Sequence, residues 1–168
     1  MKIALIVLGV LGILVIGIVM IGYALPVKHR ASRSEVFNVS PEELWAALID
    51  FKKYPEWRAD VRKSEARGER NGREVWRETD SHRNVIEYAT LEAREGRRLV
   101  RRIATPDLPY GGTWTFEIAP AGPNRTALSI TEDGEVYNPI FRIVSRFIMG
   151  YTFTMDRFLA DLQKKFAD

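Results

Sequence analysis

The chain contains no cysteine. Disulfides, thiolate nucleophiles and cysteine-ligated metals are thereby excluded, while the redox compartment is left open. Histidine is nearly as scarce, and His29 and His82 lie too far apart to form a metal-ligand spacing. No metal and no cofactor is therefore expected. Charge of one sign is not in excess either: 25 Lys and Arg against 22 Asp and Glu give +3, and setting Lys2 aside leaves the polar part near +2. So close a balance gives no support for a nucleic-acid-binding surface. No GxSxG, HExxH, P-loop or dinucleotide fingerprint occurs. Gly9, Gly12, Gly17 and Gly22 are not spaced as GxxxG, so no helix-dimerisation face is inferred and the oligomeric state stays open.

What is present is a long hydrophobic run. Ile3 to Leu25 carries no charge. As a helix it spans roughly 35 Å, enough for a ~30 Å hydrocarbon core with some tilt. Tyr23 suits an interfacial anchor and Pro26 stops the helix. A cleaved signal peptide is the competing reading, with Gly22 and Ala24 small enough to precede a cleavage site, but the run exceeds an ordinary h-region of ~7–15 residues. The expectation is a single-pass membrane protein with residues 1–25 as transmembrane anchor and 26–33 as a basic juxtamembrane linker. Residues 34–168 then form the folded domain, and the polar remainder after the apolar run, about 140 residues, is enough for one core. Lys28, Arg30 and Arg33 outweigh Lys2 across the span, so the positive-inside rule places the domain on the cytoplasmic side.

Within the domain, 34–39 alternates as a half-buried strand. Ser40-Pro41-Glu42-Glu43 is a capping box with proline at the first helical position, ahead of an apolar face of Leu44, Trp45, Leu48 and Phe51. Pro55 limits the next stretch to a turn. Strands are expected at 61–69, 72–79, 84–93, 97–104, 112–119 and 126–136, joined by turns such as Asn71-Gly72, Glu95-Gly96 and Pro120–Asn124. Connections this short make antiparallel neighbours. Asn138-Pro139 opens a long amphipathic helix over 139–167. Its apolar stripe holds Val144, Phe147, Ile148, Tyr151, Met155, Phe158, Leu159, Leu162 and Phe166. Arg142, Arg146, Arg157, Asp161 and Lys164 lie opposite. The fold class is α+β: a seven-stranded antiparallel sheet covered by that helix, the one element long enough to shield its apolar face.

Two stretches carry a resemblance. SPEELWAALIDFKKYPEWRADV (40–61) resembles the first helical passage of the START-related helix-grip superfamily, also called SRPBCC, which includes polyketide cyclases and lipid-transfer domains. GGTWTFEIAPAGPNRTALSITEDGEVYNP (111–139) is similar to its last hairpin and the approach to its C-terminal helix. The resemblance covers about 34–167. It implies a curved sheet gripping the helix around an apolar cavity, and it says little about activity.

Period-two phasing selects site candidates. Trp114, Phe116 and Ile118 alternate on one strand, and Glu132 shares a face with Leu128 and Ile130 on the next. A carboxylate there faces desolvation and can bind a ligand hydroxyl or act as acid or base; the competing reading has the strand reach solvent by residue 132. Gly134 is expected to disrupt the register beyond it. Arg101 is in phase with Leu99 and Ile103 and Arg102 with Val100 and Ala104, so the strand is ambiguous: one arginine faces solvent and the other pairs with Glu132 or a ligand carboxylate, or both stay at the surface or rim. Asp80 and His82 form a second acid–base candidate, although they sit where a solvated turn is expected. Trp76, Tyr151 and Met155 complete the expected ligand-lining set, with Trp57 and Tyr54 as an entrance flap or a packed staple.

The leading expectation is a non-catalytic module that binds a lipid or other apolar small molecule at the membrane. A cyclase- or dehydratase-type enzyme using Glu132 is the alternative, and a regulatory or structural subunit of a membrane complex is a third. Met149 and Phe153 fall beside the basic residues of the C-terminal helix. Either that face rests on anionic headgroups, or the helix bends at Gly150 and rotates Phe153 into the core.

Overall fold

The computed structural model describes residues 2–167; Met1 and Asp168, the outermost residues of the expected anchor and domain, lie outside the described residues. Helix α1 (Lys2–Ala24) contains a span, Ile6–Ala24, long and apolar enough to cross a membrane, and almost none of that span is buried against the rest of the chain. Strand β1 (Lys28–Phe37) follows directly. Helix α2 (Pro41–Ile49) begins on the capping box read from the sequence: Glu43 N–H donates to Ser40 Oγ at 3.2 Å and Ser40 N–H to Glu43 Oε2 at 3.0 Å. A 3₁₀ turn (Phe51–Lys53) and the short α3 (Tyr54–Trp57) lead into six consecutive strands. These are β2 (Val61–Arg70), β3 (Arg73–Asp80), β4 (Val85–Arg94), β5 (Arg98–Ile103), β6 (Tyr110–Pro120) and β7 (Thr126–Val136).

All seven strands form one antiparallel sheet in the order β1-β7-β6-β5-β4-β3-β2. Six are a meander, and β1 closes onto its last strand. Leu99, Phe116, Ile118, Leu128 and Ile130 of the sheet pack against Leu44, Leu48, Phe51 and Tyr54 on one side. They also meet Met155, Phe158, Leu159 and Leu162 of helix α5 (Phe153–Ala167). This is the α+β helix-grip architecture.

Four expectations change. Residues 28–33 are not a linker: they are the first half of β1, paired in continuous register from Lys28 opposite Glu135 to Phe37 opposite Thr126. Their charges do not prevent this, because Lys28 and Arg30 point outward to Glu135 and Asp133. Gly134 does not break the register of β7, which pairs without a shift on both sides. The 139–167 helix is not continuous. Asn138 caps α4 (Pro139–Ile143), a π-helical segment follows (Val144–Met149), and Gly150 at φ 79°, ψ 150° ends it before α5. That backbone region is essentially closed to side-chain-bearing residues. With the phase reset there, the single wheel fails at both ends. Phe147 and Ile148 are exposed rather than covered, whereas Arg142 and Asp161, expected in solvent, are buried. Asp161 accepts the Ala59 N–H at 2.9 Å and so ties α5 to the turn after α3. The break at Gly150 does occur, but Phe153 stays 42% exposed and does not enter the core.

Candidate functional site

A cavity of about 600 Å³ lies between the sheet and the α4–α5 segment. The aromatic wall is Trp114, Phe116 and Phe158, with ring centroids 5.5–5.9 Å apart. Phe141, Val144, Met149, Gly150, Tyr151 and Phe153 form the side toward α4. The volume suits a drug-sized molecule, and an apolar lining with a few polar groups is the ordinary composition of such sites.

The polar groups form two clusters. One centres on Glu132, whose phase with Leu128 and Ile130 brings it to the cavity. Trp114 Nε1 donates to its Oε2 at 2.9 Å, and His29 Nε2 lies 3.3 Å from its Oε1. His29 stacks on Tyr151 with ring centroids 3.9 Å apart. Its ring lies over Gly134, where any Cβ would overlap it. The glycine makes room for the imidazole. Burial raises the Glu132 pKa above the usual carboxylate range, with the Trp114 hydrogen bond and His29 opposing the shift.

The second cluster is Glu78 on β3, Arg101 on β5 and Arg58 after α3. Glu78 accepts from Arg101 Nη1 and from Arg58 Nη1, each at 2.8 Å, and Arg58 also binds Asp60 through two nitrogens. Glu78 and Arg101 are 5% and 6% exposed. The Arg101 guanidinium lies 4.1 Å from the Phe51 ring centroid and 4.7 Å from that of Tyr88, and its Nε and Nη2 have no acceptor among the described residues. Burial pushes the Tyr54 hydroxyl up to about 12, partly offset by Arg101, and pushes Tyr88 up as well. Burial works against the Arg58 charge, but Glu78 and Asp60 outweigh it and raise its pKa.

Several sequence candidates thus meet at one cavity. Glu132, Trp114, Phe116, Tyr151 and Arg101 all line it. Arg101 is buried rather than at the rim, and its carboxylate partner is Glu78, not Glu132. Ile130 and Met155 are fully buried in the core instead, and Trp76 packs on Phe51 with its indole N–H unpartnered. Tyr54 is a core residue whose hydroxyl donates to Leu48 O at 2.7 Å, and Trp57 packs on Phe158, so together they act as a staple and not a flap. Asp80 and His82 are not an acid–base pair. Asp80 accepts the backbone N–H groups of His82 and Asn84 and the Asn84 side chain, which orders the β3–β4 turn. The Asn84 side-chain hydrogen bond in particular lowers the Asp80 pKa. His29 and Glu78 went unread. His29 was hidden because β1 begins with charged residues and lacks apolar alternation. The Glu78 signal was its phase with Trp76 and Asp80 on a strand whose inward face was not assigned.

This fold and cavity define a helix-grip, START-like domain. A model of the polyketide cyclase/dehydrase and lipid transport family matches residues 28–167, and the chain belongs to that family. A search of curated proteins found no match. Among solved structures, a START superfamily protein from Mycobacterium smegmatis aligns with TM-score 0.67 at 20% identity, covering 83% of this chain and 97% of that one. Zhui aromatase/cyclase from Streptomyces sp. R1128 aligns at 0.64 and 12%, covering 82% and 93%. Norcoclaurine synthase from Thalictrum flavum aligns at 0.63 and 13%, covering 82% and 86%. At these identities the likeness establishes the fold alone.

Proposed function

We propose that this protein is a membrane-tethered domain that binds a lipid or other apolar small molecule in the cavity between its sheet and its C-terminal helical segment. The supporting observation is the cavity itself: about 600 Å³, walled by Trp114, Phe116 and Phe158, with Glu132 as the desolvated polar group that orients an occupant. The family description, which includes lipid transport, agrees with this reading. In this proposal α1 anchors the chain and the domain sits on the cytoplasmic side, beside the basic flank at Lys28 and Arg30. Tethering raises the concentration of membrane-dissolved ligand at the cavity. Native mass spectrometry of the full chain released from nanodiscs tests it: a bound apolar molecule is expected. A chain that repeatedly emerges empty would favour a regulatory subunit with a vestigial cavity.

One observation favours a second reading, an enzyme of the cyclase or dehydratase kind. Glu132 is not alone: His29 lies 3.3 Å from it. A carboxyl with a raised pKa beside an imidazole can move a proton to or from a bound carbonyl or hydroxyl. Turnover of the extracted ligand, lost in both Glu132→Gln and His29→Asn, would decide for this reading. Ligand returned unchanged would decide against it.

A further inference from the structure

Helix α1 does not swing freely from the domain. Gly22 is buried against α4, and a Cβ there would lie 2.8 Å from the Pro139 carbonyl carbon. The Arg142 guanidinium binds four backbone carbonyls at this junction. Val136 and Tyr137 accept at 2.8 and 2.9 Å, and Gly22 and Leu25 at 3.3 and 3.4 Å. The last two are the carbonyls a helix leaves unpaired at its C-terminus. A charged side chain thus caps α1 from the domain, and a glycine lets the two backbones meet.

The height of the contact matters. The span long and apolar enough to cross a bilayer is Ile6–Ala24, so Gly22 lies in its last turn. Whatever packs on Gly22 lies at the depth of the headgroups once α1 spans. The packed element is α4, and from it the chain exposes Ile140, Phe141, Phe147, Ile148, Met149 and Phe153. Ile148 is 75% and Phe147 65% exposed. Water-facing apolar patches of this kind mark interaction sites. Arg146 and Arg157 lie over the rings of Phe147 and Phe153, which adds positive charge to the same face. Amphipathic elements with this chemistry lie in the interface of anionic bilayers. Phe141, Met149 and Phe153 also line the cavity, so the patch and the cavity share a wall.

We propose that the α4–π segment and the start of α5 form a membrane-docking surface, locked onto an anionic bilayer by the Gly22–Pro139 contact and the Arg142 cap, with the cavity wall pressed to the lipid. This rests on α1 being an anchor. The absence of cysteine makes the test direct. Full-length Ile148→Cys and Glu95→Cys variants carry an environment-sensitive fluorophore in nanodiscs of phosphatidylcholine with phosphatidylglycerol. Glu95 is in the β4–β5 turn, at the end of the sheet away from α1. The Ile148 label is expected to be blue-shifted and several-fold protected from aqueous iodide, and the Glu95 label is not. Adding Gly22→Leu, which lies outside the sheet and its core, should remove most of that protection and leave the domain's thermal transition in place. Equal quenching at both positions, in a chain that resists carbonate extraction, overturns the docking surface and leaves the anchor standing. Release by carbonate overturns both. Protection that tracks protein concentration rather than lipid assigns the face to a second copy and also overturns the proposal.

Discussion

Two carboxylates face the same cavity in opposite circumstances. Glu78 is held by two arginines at 2.8 Å, and one of these is braced between aromatic rings. Glu132 has one neutral donor, Trp114, and a histidine at 3.3 Å, and burial raises its pKa. In the first cluster both carboxylate oxygens are taken by arginines, although Arg101 Nε and Nη2 lack acceptors among the described residues, and the pairing fixes the geometry of one cavity wall. The second keeps a proton within reach and has capacity left for a ligand. The contrast teaches that in a buried site the carboxylate with fewer partners is the better candidate for chemistry. The fully paired one is the better candidate for structure.

The largest effect that could break this comparison is at the paired site. Glu78→Gln leaves the buried Arg101 guanidinium without a carboxylate, while Arg58 keeps Asp60, and a loss of about 3–5 kcal/mol is expected. Urea denaturation of the domain measures it. A loss under 1 kcal/mol would show the cluster to be dispensable. Gly150→Ala comes next. It forces a side chain into a region reserved for glycine and should cost roughly 1–3 kcal/mol. A stabilised variant with greater helical circular dichroism would mean that α4 and α5 can fuse into the continuous helix expected from the wheel.

Glu132→Gln should behave unlike Glu78→Gln. Near-parental stability is expected with ligand affinity about tenfold weaker, equivalent to ~1.4 kcal/mol. Equal losses of stability at both sites would erase the distinction between them. The smallest effect is a pH dependence. The folded Glu132 binds its proton more tightly than the unfolded chain does. Between the unfolded carboxyl pKa and the raised folded one the native state therefore carries more protons, and Glu132 makes stability fall as pH rises through that window. Glu87 does the opposite. Its hydrogen bond from Arg77 holds its pKa low, so its contribution is present above the unfolded pKa and is lost as pH falls through the folded one. Melting temperature against pH should show the Glu132→Gln curve rising relative to the parent across the upper window. Curves that stay parallel would remove the raised pKa from the account.

The Ser40 box, the strand turns and the phase of Glu132 are local signals, and each was legible from the sequence. Pairing across distant residues was not. Nothing near Arg101 in sequence announces Glu78, and nothing near Glu132 announces His29. Those contacts exist because the meander brings β3 near β5 and because β1 closes onto β7. The C-terminal helix misled for a related reason: a wheel assumes constant phase, and Gly150 resets it.

By itself the sequence determined what depends on neighbours in the chain. That includes an apolar N-terminal helix, capped helix starts, seven strands ended by turn residues, and the phase of Glu132 with Leu128 and Ile130 on a strand of period two. Such features follow from backbone sterics, capping hydrogen bonds and hydrophobic alternation, all of which act over a few residues. Only the tertiary structure decided that a charged stretch after α1 is a strand, that Arg101 belongs to Glu78, that His29 stands beside Glu132, and that Arg142 caps α1. Each of those is a long-range polar contact, and its stability depends on burial that no single segment can create alone.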